Sequence, residues 1–392
     1  MLPKTASALR RELLKSPPLL GWCLFLLLMP FYLFPVGLPQ LDDFIVVLLV
    51  PTVFVTWNGR LGRQSVSVLR ALLLFTAWVV LVNLAWILIL ANFGKDLRYP
   101  LFYIFNALTF LLALILHQRH QDSFIRLTLY CVFGSVVFQA AISLVIRTSS
   151  SRGTLFFDNP NQLGYYALLA ACVIALTQRR MGFGLLKSGV GLTCCGYLAL
   201  ISASRSAVLG VVILAILTMF LNPRLILIGS FAAMVLVLVG GPLADAVETM
   251  QTRLNTAHGD DQLSFFEQRG YDRIWTNKEY VLLGAGEGAR VRFQENTIIK
   301  HAEIHSSIGT ILFSYGLVGL TLFFVFLGRL VRGAALRSTM VLVPPLVYTI
   351  AHQGLRFTML WVLFALFTAL KERPPRAEAA GPKLSPIEHA VS

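Results

Sequence analysis

Charge is scarce in this sequence. Only 13% of its 392 residues are Asp, Glu, Lys or Arg, where a soluble globular domain carries about 25%. With 56% hydrophobic residues and a mean hydropathy of +0.72, that scarcity excludes an ordinary soluble fold. Acidic residues are the rarer sign, 19 against 33 Lys and Arg, for a formal net charge of +14. Such an excess suits nucleic acid, but here the basic residues recur between apolar runs instead of gathering in a patch, so no nucleic-acid partner is expected. Cysteine is sparse too. Cys23, Cys131, Cys172, Cys194 and Cys195 all fall inside apolar runs, so they read as small packing residues and not as a disulfide framework or zinc site. No Ala-x-Ala site follows the apolar stretch that starts at Leu19 behind Arg10, Arg11 and Lys15. That stretch reads as a retained first helix, not a cleaved signal. No internal repeat is apparent.

What the chain does hold is a series of runs close to the length of a bilayer-spanning helix. They fall at 19–36, 41–57, 71–91, 99–116, 124–146, 162–177, 183–201, 206–221, 225–240, 307–328, 339–353 and 355–370. The expected fold is therefore an all-α polytopic membrane protein of about twelve transmembrane helices. Threaded with both termini inside, the inner side carries 20 Lys and Arg and 5 Asp and Glu, and the outer side 13 and 14. The positive-inside rule supports that orientation. Residues 1–240 then hold helices one to nine and 306–372 helices ten to twelve. Between helices nine and ten lies one large outer loop, 241–305, and segments of that length outside a bundle are usually functional. The tail 373–392, rich in Pro, Ala and Glu, reads as disordered.

In this threading Arg152, Arg205, Arg269, Arg273 and His305 share the outer face, where basic residues need a reason. A phosphate-bearing ligand is one. Arg152 opens the segment Arg152-Gly153 … Asn159-Pro160-Asn161 … Gly164, in which Asn161 or Asp158 can cap the next helix. Arg205 sits in Ser202-Ala-Ser-Arg-Ser-Ala207 between two apolar runs, either as an interfacial arginine or at a site that small neighbours leave open. Arg269 and Arg273 precede Gly284-Ala-Gly-Glu-Gly288, which reads as a tight turn: no Gly-Lys-Ser/Thr follows it, as a phosphate-binding loop would require. His301 and His305 share one helical face if helical, with Glu303 between them. The order is not that of a metalloprotease and no third ligand is near, so no metal is expected. A neutral His305 beside Glu303 suits acceptance of a proton from an alcohol.

Taken together, these residues resemble the O-antigen ligase and O-antigen polymerase superfamily of bacterial membrane glycosyltransferases. The resemblance rests on Arg152-Gly … Asn159-Pro-Asn161 … Gly164, on Ser204-Arg205-Ser-Ala, on the loop arginines before Gly284-x-Gly286, and on His305-Ser306 with Gly316 eleven residues after the histidine. It covers roughly residues 150–330. It implies an inner-membrane enzyme of lipopolysaccharide or exopolysaccharide biosynthesis that works at the periplasmic face without a cofactor. A glycan on undecaprenyl diphosphate would pass to a sugar hydroxyl, of lipid A–core for a ligase or of a second lipid-linked glycan for a polymerase. It further implies His305 as base, Arg205 as catalytic arginine, and Arg152 with Arg269 or Arg273 on the diphosphate. Asn161, Glu303 and His301 would support them. The chain departs from the family in having two arginines before Trp275 and a short spacing to Gly284. A transporter or flippase of lipid-linked glycans is the alternative. It would also need arginines in a cavity, but near the bilayer midplane.

Overall fold

A computed structural model describes residues 6–35, 37–91, 96–145, 152–221, 247–252, 255, 264–288, 290–293 and 303–371. The expected span 225–240, the tail 373–392 and His301 lie outside the described residues. Among those described there is no strand. The helices are α1 (Ala6–Lys15), α2 (Pro17–Leu28), α3 (Leu41–Val55), α4 (Arg63–Leu90), α5 (Arg98–His120), α6 (Asp122–Val145), α7 (Pro160–Met181), α8 (Leu185–Ile201) and α9 (Arg205–Leu221). They continue with α10 (Phe265–Gln268), α11 (Asp272–Thr276), α12 (Ser307–Val331), α13 (Leu336–Met340), α14 (Val343–Ala351) and α15 (Thr358–Lys371).

Four of them, α4, α5, α6 and α12, are long and apolar enough to cross a membrane, and shorter apolar helices accompany them. The pattern of exposure points the same way. On α4 the side chains of Val68, Leu72, Phe75 and Val79 are fully buried, while Leu74, Leu81, Leu88 and Ile89 are exposed. A helix in water would carry polar residues on that second face. Two helices are enclosed almost all round: Leu163–Ile174 of α7 and Met359–Ala369 of α15 are buried without interruption, as their continuous apolar sequences require.

Contacts between the helix termini define two opposite ends of the bundle. At one end Ser16 meets His120, Arg180 pairs with Asp122 at 3.6 Å and donates to the Leu370 carbonyl, and Lys371 reaches the Arg329 carbonyl. This end is rich in Lys and Arg. At the other end the Tyr32 amide donates to the Phe156 carbonyl at 3.0 Å, that of Gly153 to Ile201 at 2.8 Å, and that of Ser307 to His352 at 3.1 Å. Helices α2, α5, α7, α12 and α15 run between the two.

Besides the run 307–328, which unwinds at Gly316, two apolar runs are not the single helices the pattern suggested. In the run 19–36, α2 stops at Leu28, because Pro30 lacks the amide proton that would carry the helical bonding beyond Met29. The segment beyond folds over the Arg152 loop, where the Phe31 and Phe156 rings lie 4.6 Å apart. The run 339–353 is broken between α13 and α14, just ahead of Pro344 and Pro345, which sit in the first turn of α14 as proline prefers.

Candidate active site

At this second end two tight connections pack against each other. Only three residues separate α8 from α9, and the middle one, Ala203, adopts a left-handed φ of 46° while fully buried. The Ser202 hydroxyl closes the turn, donating to the Ala199 carbonyl at 2.7 Å and accepting from the Ser204 amide at 3.2 Å. A left-handed alanine carries strain of the kind that clusters at functional sites. Gly164 of α7 lies against this turn: a Cβ there would meet Ser202 Oγ at 2.5 Å and Ala207 Cβ at 2.9 Å. The small residues of the two motifs thus let α7 touch the turn. Arg205 is the first residue of α9, with its side chain exposed.

Arg152 joins the two motifs. Its Nε donates to the Ser202 carbonyl at 3.2 Å and its Nη2 to Asn161 Oδ1 at 3.0 Å. Asn161 is therefore not the helix cap, and neither is Asp158. Asn159 caps α7, accepting from the Gln162 amide, while Gln162 reaches back to the Asn159 amide. Pro160 occupies the first helical position, which leaves the cap to the residue before it. Asn161 is left to orient Arg152, and its carbonyl accepts from the Tyr348 hydroxyl at 3.1 Å.

Arg269 and His305 lie side by side, the His305 amide donating to the Arg269 carbonyl at 2.9 Å. The next residue, Ser306, is fully buried and caps α12 through the Gly309 amide at 3.0 Å. It also lies 2.6 Å from the Tyr271 hydroxyl, which donates to the Ile350 carbonyl at 3.1 Å. This latch ties the loop, the start of α12 and the end of α14 into one unit and leaves the His305 side chain exposed. Desolvation raises the Tyr271 pKa above that of a free tyrosine, so its hydroxyl stays a donor. Tyr348 of α14, which reaches the Asn161 carbonyl, stacks on His352 at 4.7 Å and on Tyr165 at 4.0 Å. Arg152 and Asn161 thus meet beside Tyr348 and the Ser202 turn, and the bonds from Ser306 and Ser307 to the Thr349 and His352 carbonyls bring the Arg269–His305 pair to the same end of the bundle.

Arg273 and Glu303 go elsewhere. Arg273, only 6% exposed, lies over the Phe293 and Phe313 rings at 5.5 and 6.0 Å. Together with Glu287, Glu303 and Arg356 it lines a cavity of about 30 Å³. Arg356 pairs with Glu287 and with Glu303 at 2.9 Å. Glu303 also accepts from the Tyr99 hydroxyl at 3.2 Å, and Glu287 accepts from Tyr315 at 2.5 Å. This charged cluster neighbours the His305 surface but lies inward of it.

The glycine turn places Glu287. The amides of Ala285 and Gly286 donate to the Phe313 and Ser314 carbonyls, both at 2.9 Å, and that of Leu317 to the Val281 carbonyl at 2.8 Å. Those carbonyls are free because α12 is unwound at Gly316, where φ is 68° and ψ −173°, a conformation open essentially only to glycine. A Cβ on Gly316 would run into the Leu282 carbonyl, and one on Gly284 into that of Ser314. The Gly284-x-Gly286 turn and the glycine eleven residues after His305 are two halves of one joint.

Sequence reasoning passed over Tyr348, Tyr271, Glu287 and Arg356. For Arg356 there was a signal: it lies at the start of an otherwise uncharged run, and ionisable residues in such places mark function or a buried partner. Glu287 sits inside the glycine motif and was read as part of a turn. Nothing in the pattern singles out the two tyrosines. No protein-family model matches the chain, and no curated protein matches it either.

Proposed function

We propose that the protein is an integral-membrane glycosyltransferase of the O-antigen ligase or polymerase kind. It would move a glycan from undecaprenyl diphosphate to an acceptor sugar hydroxyl at the periplasmic face of a bacterial inner membrane. In this reading about twelve helices span the bilayer, both termini are cytoplasmic, and the periplasmic loop 241–305 contributes active-site residues.

The observation that carries the proposal is the meeting of Arg152, Arg269 and His305 at one end of the bundle, with Arg205 opening α9 just beyond the Ser202 carbonyl that Arg152 binds. Four segments far apart in sequence supply these groups. Arginine offers a planar fork of donors that matches phosphate oxygens. In the proposed reaction the acceptor hydroxyl oxygen attacks the anomeric carbon and its proton passes to His305. The bond from that carbon to the diphosphate oxygen breaks with its electron pair going to the diphosphate. Arg152, Arg205 and Arg269 stabilise the charge that develops there. Of the two loop arginines, Arg269 is favoured for this role, since Arg273 is buried in the inner cluster.

The test is His305→Ala in purified, reconstituted protein supplied with a lipid-diphosphate glycan. Loss of a general base lowers turnover by about 10²–10⁴-fold. Near-normal turnover from folded His305→Ala protein overturns the assignment.

A further inference from the structure

At the opposite, basic end of the molecule lies a second site, and the geometry points to an anionic phospholipid as its occupant. A cavity of about 890 Å³ opens there between α1, the start of α2, the last turns of α3 and the end of α5. That is the size of pocket that holds a drug-sized ligand. Its walls are mainly apolar: Pro51 and Val55 of α3 on one side, Pro17 and Pro18 of α2 on the other. Val55 is 86% exposed, so no segment of the described chain covers this wall.

The rim has the opposite character. Arg11, Lys15 and Arg119 line the cavity, and the only carboxylate with them is Glu12. Glu12 is already engaged, pairing with His120 at 3.5 Å and accepting from Ser123 Oγ at 2.8 Å. Arg119 donates to Thr56 Oγ1 at 2.7 Å, which holds its guanidinium over the mouth. Among the described residues no carboxylate pairs with Arg11, Lys15 or Arg119. The first two come from α1, a helix whose Leu9 is buried and whose Leu13 packs against the core, while Arg10, Arg11 and Lys15 are exposed. Such a basic amphipathic helix suits the lipid interface.

An apolar trough beside three unpaired cations complements a lipid with a negative head and a hydrocarbon chain. The proline pair sharpens this. A phosphate at a helix start commonly binds free backbone amides, but Pro17 and Pro18 remove two of those in the first turn of α2. Head-group recognition therefore rests mainly on the three side chains, and it is testable by charge removal.

The experiment uses the full chain in detergent and measures binding of phosphatidylglycerol and phosphatidylcholine by native mass spectrometry. Phosphatidylglycerol is expected to bind more tightly. Each basic residue near a lipid surface contributes roughly fivefold, so Arg11→Gln/Lys15→Gln/Arg119→Gln should lose on the order of tenfold to a hundredfold of that preference. Val55→Trp, which fills the trough without touching charge, should lower binding of both lipids. A control of equal charge at the same end, Arg60→Gln/Arg63→Gln/Arg332→Gln, should leave binding unchanged. Equal affinity for the two lipids overturns the proposal. So does an equal loss in the control, which would mean diffuse surface attraction, or undiminished binding to Val55→Trp.

Discussion

The charged cluster around Arg356 gives the most direct check on the architecture described here. Replacing Arg356 with Met keeps the apolar stem of the side chain but removes the cation that pairs with Glu287 and Glu303. The Glu287 side chain is only 4% exposed, so its carboxylate would be left charged with little water to solvate it. Breaking a buried pair from one side costs about 3–5 kcal/mol, because the survivor keeps its desolvation penalty. A chain of 392 residues shifts by roughly 1–2 °C per kcal/mol, less than the shift of a smaller domain, so the unfolding midpoint in detergent should fall by about 3–10 °C. The triple variant Arg356→Met/Glu287→Gln/Glu303→Gln tests the cause. It keeps an acceptor for the Tyr315 and Tyr99 hydroxyls but leaves no carboxylate stranded. It should therefore recover much of the loss, with a coupling of about 1 kcal/mol or more. The reasoning is refuted if Arg356→Met unfolds within about 1 °C of the parent, or if the triple variant is as unstable as the sum of its parts.

Three further outcomes follow from the site. Arg205→Lys keeps the charge but loses the fork, so donor turnover should drop well below that of the parent; full activity with Lys would show a merely interfacial arginine. Arg269→Ala and Arg273→Ala should separate: the first lowers transfer with little change in the unfolding midpoint, while the second, which removes a side chain packed between Phe293 and Phe313, lowers the midpoint itself. A reversed pattern would exchange the two roles. Gly316→Ala forces a Cβ toward the Leu282 carbonyl in a conformation that costs about 1–3 kcal/mol, so it should loosen the Gly284–Gly288 turn and speed its proteolysis. Unchanged proteolysis would mean that the joint tolerates a side chain.

Much of this was legible in the residues themselves. Scarce charge and long apolar runs pointed to an all-helical chain built for an apolar solvent, because in lipid only helices and closed barrels satisfy the backbone's polar groups and continuous apolar runs of that length suit helices, not strands. The spacing of Arg152, Asn161, Gly164, Arg205 and His305 marked the segments that meet at one end of the bundle, since each interrupts an apolar run with polar or small residues that packing alone does not call for. Proline positions were equally informative in hindsight: Pro30, Pro344 and Pro345 mark where expected spans break, and Pro160 passes the capping role to Asn159.

Partnership was decided only by the tertiary structure. One turn of helix separates Arg269 from Arg273 in sequence, yet the first lies beside His305 and the second turns inward to an aromatic cage. No periodicity distinguishes them, because the loop that carries them takes its direction from the Tyr271–Ser306 latch and the glycine joint at Gly316. Glu303 was expected beside His305, but it is drawn to Arg356, more than fifty residues away along the chain. Local pattern sets which segments are helical and which face is apolar. Which charges neutralise one another depends on contacts between distant segments, and those form only when the bundle closes.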